Sequence, residues 1–260
     1  MDLQLNEKVA IVTGGASGIG EAIVRQLATE GAIVAIVDRD QERGEQIVAD
    51  LKEATPQISH QCVATDLCDF AACQRGIESV LETQGRIDIV VNNAGTNDAV
   101  GIDRGPEAFE ASLRLNLTHY YAIVHHAEPQ LRANSGAIVN VSSKVATTGQ
   151  GGTSGYAAAK GAVNALTREW AVDFATDNVR VNAVVPAEVW TPMYENWLNS
   201  LDDGADEKMR IAQRIPLGRR FTKAEELANV AVFLASPAAS HVTGQIVYVD
   251  GGYTHFDRRV

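Results

Sequence analysis

The chain has 260 residues, of which 45% are hydrophobic, and this is enough for one α/β domain with a substantial buried core. Acidic residues outnumber basic ones by 33 to 22, which gives a formal net charge of −11, and no basic block could supply contacts to nucleic-acid phosphates. No apolar run approaches the roughly 20 residues that cross a bilayer, and the N-terminus does not resemble a signal peptide. We therefore expect a cytoplasmic protein that binds neither nucleic acid nor membrane.

The cysteines follow no metal-binding pattern. Cys62, Cys68 and Cys73 are an odd set with spacings of six and five residues, which match no common zinc or redox motif. The six histidines have no cysteine or carboxylate partners at a ligand spacing. We therefore predict reduced structural thiols and no metal site.

Segments typical of strands and helices alternate along the chain. The apolar segments that predict strands span residues 9–12, 33–37, 62–64, 87–91, 137–141, 179–184 and 246–249. Helical patterns lie between them at residues 18–30, 41–54, 70–83, 109–131 and 224–234, and a further helix carries Tyr156. Short apolar strands alternating with helices are typical of buried parallel sheets. The sequence therefore predicts an α/β fold in which residues 1–260 form one doubly wound Rossmann domain, with a seven-stranded parallel sheet and helices on both faces.

In such a sheet, ligands bind beyond the carboxyl ends of the strands. Polar residues occupy these positions after several predicted strands: Thr13, Asp38, Asp66, Asn92, Ser142 and Ser143. Packing alone does not require this arrangement. We therefore expect these residues to lie near one functional site.

The turn between the first strand and the first helix is rich in glycine. Residues 13–20 read Thr-Gly-Gly-Ala-Ser-Gly-Ile-Gly, which permits a tight turn and a close approach of the backbone to a pyrophosphate at the helix N-terminus. A glycine-rich turn alone can reflect simple loop flexibility. Its place between a strand and a helix favours a dinucleotide site.

Asp38 ends the second predicted strand, 18 residues after Gly20. A carboxylate at this position can accept hydrogen bonds from both hydroxyls of the adenosine ribose, which favours NAD. A 2′-phosphate would be repelled by Asp38, although the adjacent Arg39 could pair with it if the carboxylate turned away. We therefore predict NAD and leave NADP open.

Tyr156 and Lys160 are four residues apart, so a helix places them on one face. A nearby ammonium group favours phenolate and lowers the pKa of a tyrosine from its reference value of about 10. Such a pair also occurs by chance on solvated helix faces. Whether it is an acid/base depends on the residues around it.

These residues together resemble the short-chain dehydrogenase/reductase family over nearly the whole chain. The matching motifs are the turn at 13–20, Asn-Asn-Ala-Gly at 92–95, Ser143 placed 13 residues before Tyr156, the spacing of Tyr156 and Lys160, and Asp-Gly-Gly at 250–252. The resemblance implies an NAD(P)-dependent alcohol dehydrogenase or reductase.

The same resemblance implies roles for individual residues. Tyr156 would be the general acid/base, Ser143 would hydrogen-bond the reacting oxygen, Lys160 would hold the nicotinamide ribose and support phenolate, and Asn116 would hold a water of the proton relay. The implied cofactor-binding residues are Gly14, Ser17, Gly18, Ile19, Gly20, Asp38, Arg39, Asp66, Leu67, Asn92, Ala94, Gly95, Tyr156, Lys160, Pro186, Val189 and Thr191.

The chain departs from the family pattern after Pro186, where Ala187 replaces the usual glycine. Alanine permits the turn only if its φ is negative. Glu188 follows, and two interpretations are open for it: a substrate-facing hydrogen-bond acceptor or a solvated loop carboxylate.

The family fixes the reaction type better than the substrate. Around the catalytic residues the sequence supplies a polar set with one large aromatic side chain, namely Asn97, Asp98, Gln150, Glu188 and Trp190. The Gly-Gln and Trp-Thr-Pro segments at 149–150 and 190–192, together with Pro-Leu-Gly-Arg at 216–219, are similar to the L-fucose dehydrogenase branch of the family. That resemblance implies oxidation of the anomeric hydroxyl of L-fucose or a related aldose to a lactone. Ser143, Gln150, Tyr156, Glu188 and Trp190 would contact the substrate.

Two other interpretations stay open. Trp190 and its aromatic neighbours could simply pack a variable substrate lid at about residues 188–220, in which the polar stretch 200–206 is expected to form a loop. Such a lid would suit an apolar carbonyl substrate, such as a hydroxysteroid or a 3-oxoacyl thioester. A nucleotide-sensing protein without catalysis is a third possibility, and the intact catalytic set argues against it.

The family resemblance also implies a homotetramer assembled through the helices at residues 109–131 and 156–174. The terminal residues 255–260 would then either approach a neighbouring subunit or form a disordered tail.

Overall fold

A computed structural model describes residues 2–256 of the chain. Nine strands occur in this part: β1 (Val9–Thr13), β2 (Ile33–Asp38), β3 (Gln61–Ala64), β4 (Ile89–Asn92), β5 (Ala137–Val141), β6 (Arg180–Pro186), β7 (Val189–Trp190), β8 (Thr222–Lys223) and β9 (Ile246–Val249). Seven of them form one parallel sheet in the order β3-β2-β1-β4-β5-β6-β9. The predicted doubly wound sheet is therefore confirmed. The short strands β7 and β8 form a separate parallel pair that the sequence analysis missed.

Helices cover both faces of the large sheet. Their bounds are α1 (Gly18–Thr29), α2 (Gln41–Ala54), α3 (Phe70–Gln84), α4 (Pro106–Leu113), α5 (His119–Ala133), α6 (Ser154–Asp173), α7 (Pro192–Asn199), α8 (Gly204–Ala212) and α9 (Ala224–Ala235). One apolar core packs α1, α2 and α9 against one face, and a second packs α3, α5 and α6 against the other. Strands β1, β4 and β5 are buried at every position because the sheet is covered on both sides.

The strand order reverses between β1 and β4. The chain passes from β1 outward to β2 and β3, and then returns to place β4 on the other side of β1. The loops after β1 and β4 therefore diverge at the carboxyl edge of the sheet. Doubly wound sheets bind ligands in the crevice at this point.

The helix predicted at residues 109–131 is interrupted. Helix α4 ends at Leu113, a π-helical segment spans Arg114–Thr118, and α5 continues from His119. Such π segments occur mostly as single turns inside α-helices and often at functional sites. The segment contains Asn116.

The predicted lid region is mostly helical. Helices α7 and α8 occupy much of it, and α8 begins at Gly204, so the expected loop at 200–206 is shorter than predicted.

No helix in the part of the chain that the structure describes is long and apolar enough to cross a membrane. Residues 257–260 of the predicted tail lie outside the described residues.

Candidate active site

A groove of about 460 Å³ lies at the crevice between β1 and β4, within the usual size of a small-molecule site. It brings together residues from distant parts of the sequence. Fourteen of the predicted cofactor-binding residues line it: Gly14, Ser17, Gly18, Ile19, Asp38, Arg39, Asp66, Leu67, Ala94, Gly95, Tyr156, Lys160, Pro186 and Thr191. The glycine-rich turn and the Tyr156/Lys160 pair therefore belong to one site.

Two glycines of the turn, Gly14 and Gly20, are packed so closely that a side chain would not fit at either position. Gly14 has a φ of +63°, and a Cβ built there would lie 2.8 Å from the Ala94 Cα. A Cβ on Gly20 would overlap the carbonyl oxygen of Gly14. Gly20 does not line the groove, and its missing side chain lets α1 pack closely against the turn.

The N-terminus of α1 faces this turn with unused donors. Ser17 is the N-cap residue in an extended conformation, and its side chain makes no capping hydrogen bond. The first N–H groups of a helix have no intrahelical partners, and they carry partial positive charge that favours an anion. The turn therefore fits the pyrophosphate of a dinucleotide, as the sequence predicts.

Asp38 lies at the end of β2 on the wall of the groove. Its Oδ2 accepts a hydrogen bond from the Ala16 N–H at 3.0 Å, and its Oδ1 accepts one from the Asp40 N–H at 3.0 Å. These bonds fix the carboxylate, which keeps further lone pairs for a ligand. A carboxylate that turned away to admit a 2′-phosphate would have to break both bonds.

Two other predicted cofactor residues lie off the groove. The side chain of Asn92 is fully buried, and it donates to the Asn140 Oδ1 at 3.0 Å. The adjacent Asn93 lines the groove instead, and its Nδ2 donates to the Thr13 and Gly14 carbonyls at 3.0 Å. Val189 is buried in the β7–β8 pair. The side chains of Asn92 and Val189 therefore do not line the groove, and their cofactor contacts stay predictions.

Tyr156 and Lys160 lie on one face of α6 as predicted, with the Lys160 Nζ 5.6 Å from the centre of the Tyr156 ring. The predicted lowering of the tyrosine pKa is not found. Burial raises the pKa of Tyr156 to about 12, the Ser143 hydroxyl lowers it, and the charge of Asp98 raises it further. Burial also lowers the pKa of Lys160 to about 7. Desolvation therefore opposes the charged forms of both side chains.

Lys160 is hydrogen-bonded to Tyr120, a residue that the sequence analysis did not single out. Its Nζ donates to the Tyr120 hydroxyl at 2.8 Å and to the Val141 carbonyl at 2.9 Å. Tyr120 lies in α5, four residues after Asn116, and this spacing is the one signal in the sequence that could have indicated it.

The two serines after β5 have different roles. The Ser142 hydroxyl donates to the Lys160 carbonyl at 3.2 Å, so it tethers the backbone of α6 to the end of β5. Ser143 caps a short 3₁₀ helix, Lys144–Ala146, with its Oγ 3.4 Å from the Val145 N–H. Because the Ser143 hydroxyl also influences the pKa of Tyr156, Ser143 lies beside the phenol.

Asn116 is fully buried in the π-helical segment. Its Oδ1 accepts from the Thr96 N–H at 2.8 Å, and its Nδ2 donates to the Ser112 carbonyl at 3.2 Å. A Cβ built on Gly95, whose φ is +150°, would lie 2.9 Å from the Asn116 Oδ1 and 3.4 Å from the Lys160 Nζ. Asn116 and Lys160 therefore meet behind Gly95 on the wall of the groove.

Glu188 is not a solvated loop carboxylate. It is buried, forms an ion pair with Lys144, and accepts a hydrogen bond from the Tyr194 hydroxyl at 2.6 Å. The Lys144 Nζ also lies 4.3 Å from the centre of the Tyr253 ring. Both carboxylate oxygens of Glu188 are thus used within the protein. Lys144, which directly follows Ser143, and Tyr194 are partners that the sequence did not indicate.

The other two predicted substrate contacts also lie away from the groove. Gln150 is exposed. The Trp190 ring packs edge-on against Phe221 at 5.4 Å, and the Lys208 Nζ lies 3.6 Å from its centre. Trp190 therefore packs the lid, which is the alternative that the sequence analysis left open. Ala187 does not adopt a positive φ, so the turn after β6 forms without glycine.

Two residues that line the groove, Met193 and His119, belong to none of the motifs found in the sequence. Met193 lines the groove at the start of α7, and its sulfur accepts a hydrogen bond from the Thr96 hydroxyl at 3.2 Å. His119 also lines the groove, and burial lowers its pKa to about 4. Neither position could be identified from spacing alone, because each depends on how the lid and α5 pack.

Comparisons with known proteins agree with this site. The enoyl-(acyl carrier protein) reductase family model matches residues 14–254. The 3-oxoacyl-(acyl-carrier-protein) reductase FabG of Thermotoga maritima is 38% identical over 252 residues, which cover 96% of this chain and 99% of that protein. L-fucose dehydrogenase of Mus musculus is 36% identical over 247 residues, which cover 94% of this chain and 88% of that protein.

Two solved structures have the same fold. The crystal structure of Cj0485 dehydrogenase has a TM-score of 0.95 at 44% identity, and covers 100% of this chain and 99% of its own. L-sorbose reductase from Gluconobacter frateurii, solved in complex with NADPH and L-sorbose, has a TM-score of 0.93 at 30% identity, with 98% of this chain and 100% of that chain covered. The chain belongs to the short-chain dehydrogenase/reductase family of NAD(P)-dependent oxidoreductases.

Proposed function

We propose that this enzyme is an NAD-dependent sugar dehydrogenase that oxidises the anomeric hydroxyl of L-fucose, or of a similar 6-deoxy sugar or pentose, to a lactone. The reaction removes a hydride from C1 and a proton from its hydroxyl group. The relatives support a nicotinamide-dependent oxidoreductase but differ in the substrates that their names state. The choice of a sugar therefore depends on residues of this chain.

The observation that carries the proposal is an unpaired carboxylate oxygen on Asp98, a residue whose charge acts on Tyr156. The Asp98 Oδ1 is buried and has no hydrogen-bond partner among the described residues, and the charge of Asp98 acts on Tyr156. A buried polar atom without a partner costs about 1 to 3 kcal/mol. A substrate with hydroxyl groups next to the reacting carbon removes this cost, whereas a steroid or an acyl chain does not.

The residues of the candidate active site have complementary roles in this reaction. When bound, the nicotinamide cofactor supplies the acceptor for the hydride. Tyr156 accepts the proton of the substrate hydroxyl, and Ser143 donates a hydrogen bond to the same oxygen. Lys160 supplies positive charge that stabilises the phenolate, which is needed because burial raises the pKa of Tyr156 to about 12.

Asp38 supports NAD over NADP in this proposal. Its carboxylate is held by two backbone N–H groups, so a negative charge stays where a 2′-phosphate would lie. Asp66 and Leu67 on the same wall are assigned to the adenine, and Thr191, at the start of α7, to the carboxamide. Pro186 and Ala94 complete the nicotinamide end of the groove.

A substrate panel tests the proposal. The formation of reduced nicotinamide is followed with NAD and with NADP against L-fucose, D-arabinose, D-glucose, polyols and hydroxysteroids. We expect the highest kcat/KM for an aldose with NAD. Methyl L-fucoside is the matched control, because its anomeric oxygen is methylated and it should not react. Turnover of the methyl glycoside would contradict oxidation at C1, and no turnover of any sugar would contradict the sugar assignment.

An apolar carbonyl substrate is the second candidate. Met193 and Trp197 on α7 are 56% and 45% exposed, so the lid offers apolar surface beside the groove. FabG-type relatives reduce 3-oxoacyl groups according to their name. Oxidation of NADPH by a 3-oxoacyl thioester, with no activity on sugars, would favour this candidate.

The proposed assembly is a homotetramer formed through α5 and α6. Tyr121 on α5 is 58% exposed and Val172 on α6 is 75% exposed. Apolar surface on two neighbouring long helices supports an interface between copies of the chain.

A further inference from the structure

We propose that Tyr120 is a positioning residue that holds the Lys160 ammonium group at the wall of the cofactor groove. The inference rests on the proposed function, in which Lys160 is the partner of Tyr156. Tyr120 does not line the groove, and none of the motifs of the chain contains it.

Three groups form a closed hydrogen-bonded triangle in the core. The Tyr120 hydroxyl donates to the Val141 carbonyl at 2.9 Å, while the Lys160 Nζ donates to that hydroxyl at 2.8 Å and to that carbonyl at 2.9 Å. Tyr120 has an exposed fraction of 0%. Because its hydrogen is used toward Val141, its oxygen can only accept from Lys160.

This triangle leaves one donor of the ammonium group for a ligand. An ammonium group has three N–H donors, and Tyr120 and Val141 take two of them. Lys160 lines the groove beside Gly95, where even a built Cβ would come within 3.4 Å of Nζ. Tyr120 therefore directs the remaining N–H group toward the position assigned to the nicotinamide ribose.

The triangle also stabilises the charge of Lys160. The titratable groups against it are Tyr156 on its own helix and Tyr120 and His119 on α5. Among residues 2–256, no carboxylate lies within ion-pair distance of Lys160. Burial and the charge of Lys160 lower the pKa of His119 to about 4, so His119 is neutral. The Tyr120 oxygen and the Val141 carbonyl are thus the acceptors that compensate this buried charge.

Removing the Tyr120 hydroxyl should lower the pKa of Lys160. Burial already lowers the pKa of Lys160 to about 7, and the loss of an acceptor lowers it further. A neutral lysine does not support phenolate, so Tyr156 then needs a higher pH to lose its proton. The difference in Lys160 charge between the two proteins should be largest near neutral pH and should disappear at alkaline pH, where Lys160 is neutral in either protein, and the binding of a ligand that Lys160 holds should follow the same pattern.

The test compares Tyr120→Phe with Tyr121→Phe, a matched control because Tyr121 is adjacent and 58% exposed. For alcohol oxidation with NAD, Tyr120→Phe is expected to lower kcat/KM about tenfold near neutral pH, because the Tyr156 phenolate loses the support of the Lys160 charge. Tyr121→Phe should follow the wild-type profile. Thermal unfolding of each variant verifies that it is folded, and Tyr120→Met replaces Tyr120→Phe if the latter does not fold.

A second readout needs no turnover. The dissociation constant of NADH is measured against pH by fluorescence, and Tyr120→Phe is expected to weaken binding severalfold near neutral pH but not at alkaline pH. A loss that is equal at every pH, or a variant that matches Tyr121→Phe throughout, would overturn the positioning role. Absence of turnover in the wild type would contradict only the proposed function. The pH dependence of NADH binding would still show whether Tyr120 positions Lys160.

Discussion

At the scale of single residues, Asp38 is held in place by the protein itself. Its carboxylate accepts hydrogen bonds from the N–H groups of Ala16 and Asp40, both at 3.0 Å. A preorganised charge does not have to be ordered when the cofactor binds. Arg39, on the same wall, is exposed, so any pairing with a phosphate would have to order a flexible side chain.

The first prediction concerns cofactor choice. Asp38→Asn keeps an oxygen for one backbone N–H group but removes the charge, and we expect the ratio of kcat/KM for NAD to that for NADP to fall about tenfold. Asp40→Asn is the matched control, because Asp40 also lines the groove while its side chain caps α2 through the Arg43 N–H. An unchanged ratio in Asp38→Asn would show that Arg39 or the backbone determines the preference.

At the scale of elements, a buried ion pair joins the loop after β5 to the start of the lid. Lys144 directly follows Ser143, and Glu188 lies between β6 and β7. The side chains are 11% and 9% exposed, and Tyr194 on α7 also bonds to Glu188. A buried pair of this kind is costly to break, because the remaining charge keeps its desolvation penalty. The pair therefore couples the position of the lid to that of Ser143.

A double-mutant cycle tests this coupling. Glu188→Leu and Lys144→Met should each lower the free energy of unfolding by about 3 to 5 kcal/mol, while the double variant should recover most of the loss. Asp203→Asn removes the exposed pair with Arg210 as a control and should cost less than about 1 kcal/mol. Denaturant unfolding gives the free energy of unfolding of the two single variants, the double variant and the control, each relative to the wild type. Single variants that cost no more than the control would contradict the coupling.

At the scale of the whole molecule, apolar periodicity was sufficient to predict the sheet. The strand at 137–141 and the helix at 41–54 match β5 and α2, because buried strands and amphipathic helices have distinct repeats. The interruption at Arg114–Thr118 has no such repeat. The short β7–β8 pair depends on contacts between segments that are far apart in the sequence.

The parts of the candidate site that are formed by neighbouring residues in the sequence were predictable. The turn at 13–20 and the Tyr156/Lys160 spacing are local, and both reach the groove. The packing of Glu188 and Trp190 was not predictable, because their partners, Lys144 and Lys208, come from other segments. Their roles as substrate contacts stay predictions. The predicted lowering of the Tyr156 pKa was wrong for a similar reason, because burial raises this pKa and burial depends on the whole fold.

Assembly gives a further prediction at this scale. If α5 and α6 form the proposed tetramer interface, Val172→Asp should place a charge in it and shift the mass in light scattering toward smaller species. Met209→Asp on α8 is the control, because Met209 is 57% exposed on the lid. A monomeric wild-type protein would contradict the tetramer.

The most direct test of the account is Tyr156→Phe, which removes only the hydroxyl that moves the proton. Turnover of NAD with the best aldose is measured together with the dissociation constant of NADH. We expect kcat to fall by about 10³-fold while NADH binding changes less than about twofold, because Lys160 and the glycine-rich turn are unchanged. A variant that retains substantial turnover would contradict the assignment of Tyr156 as the catalytic acid/base.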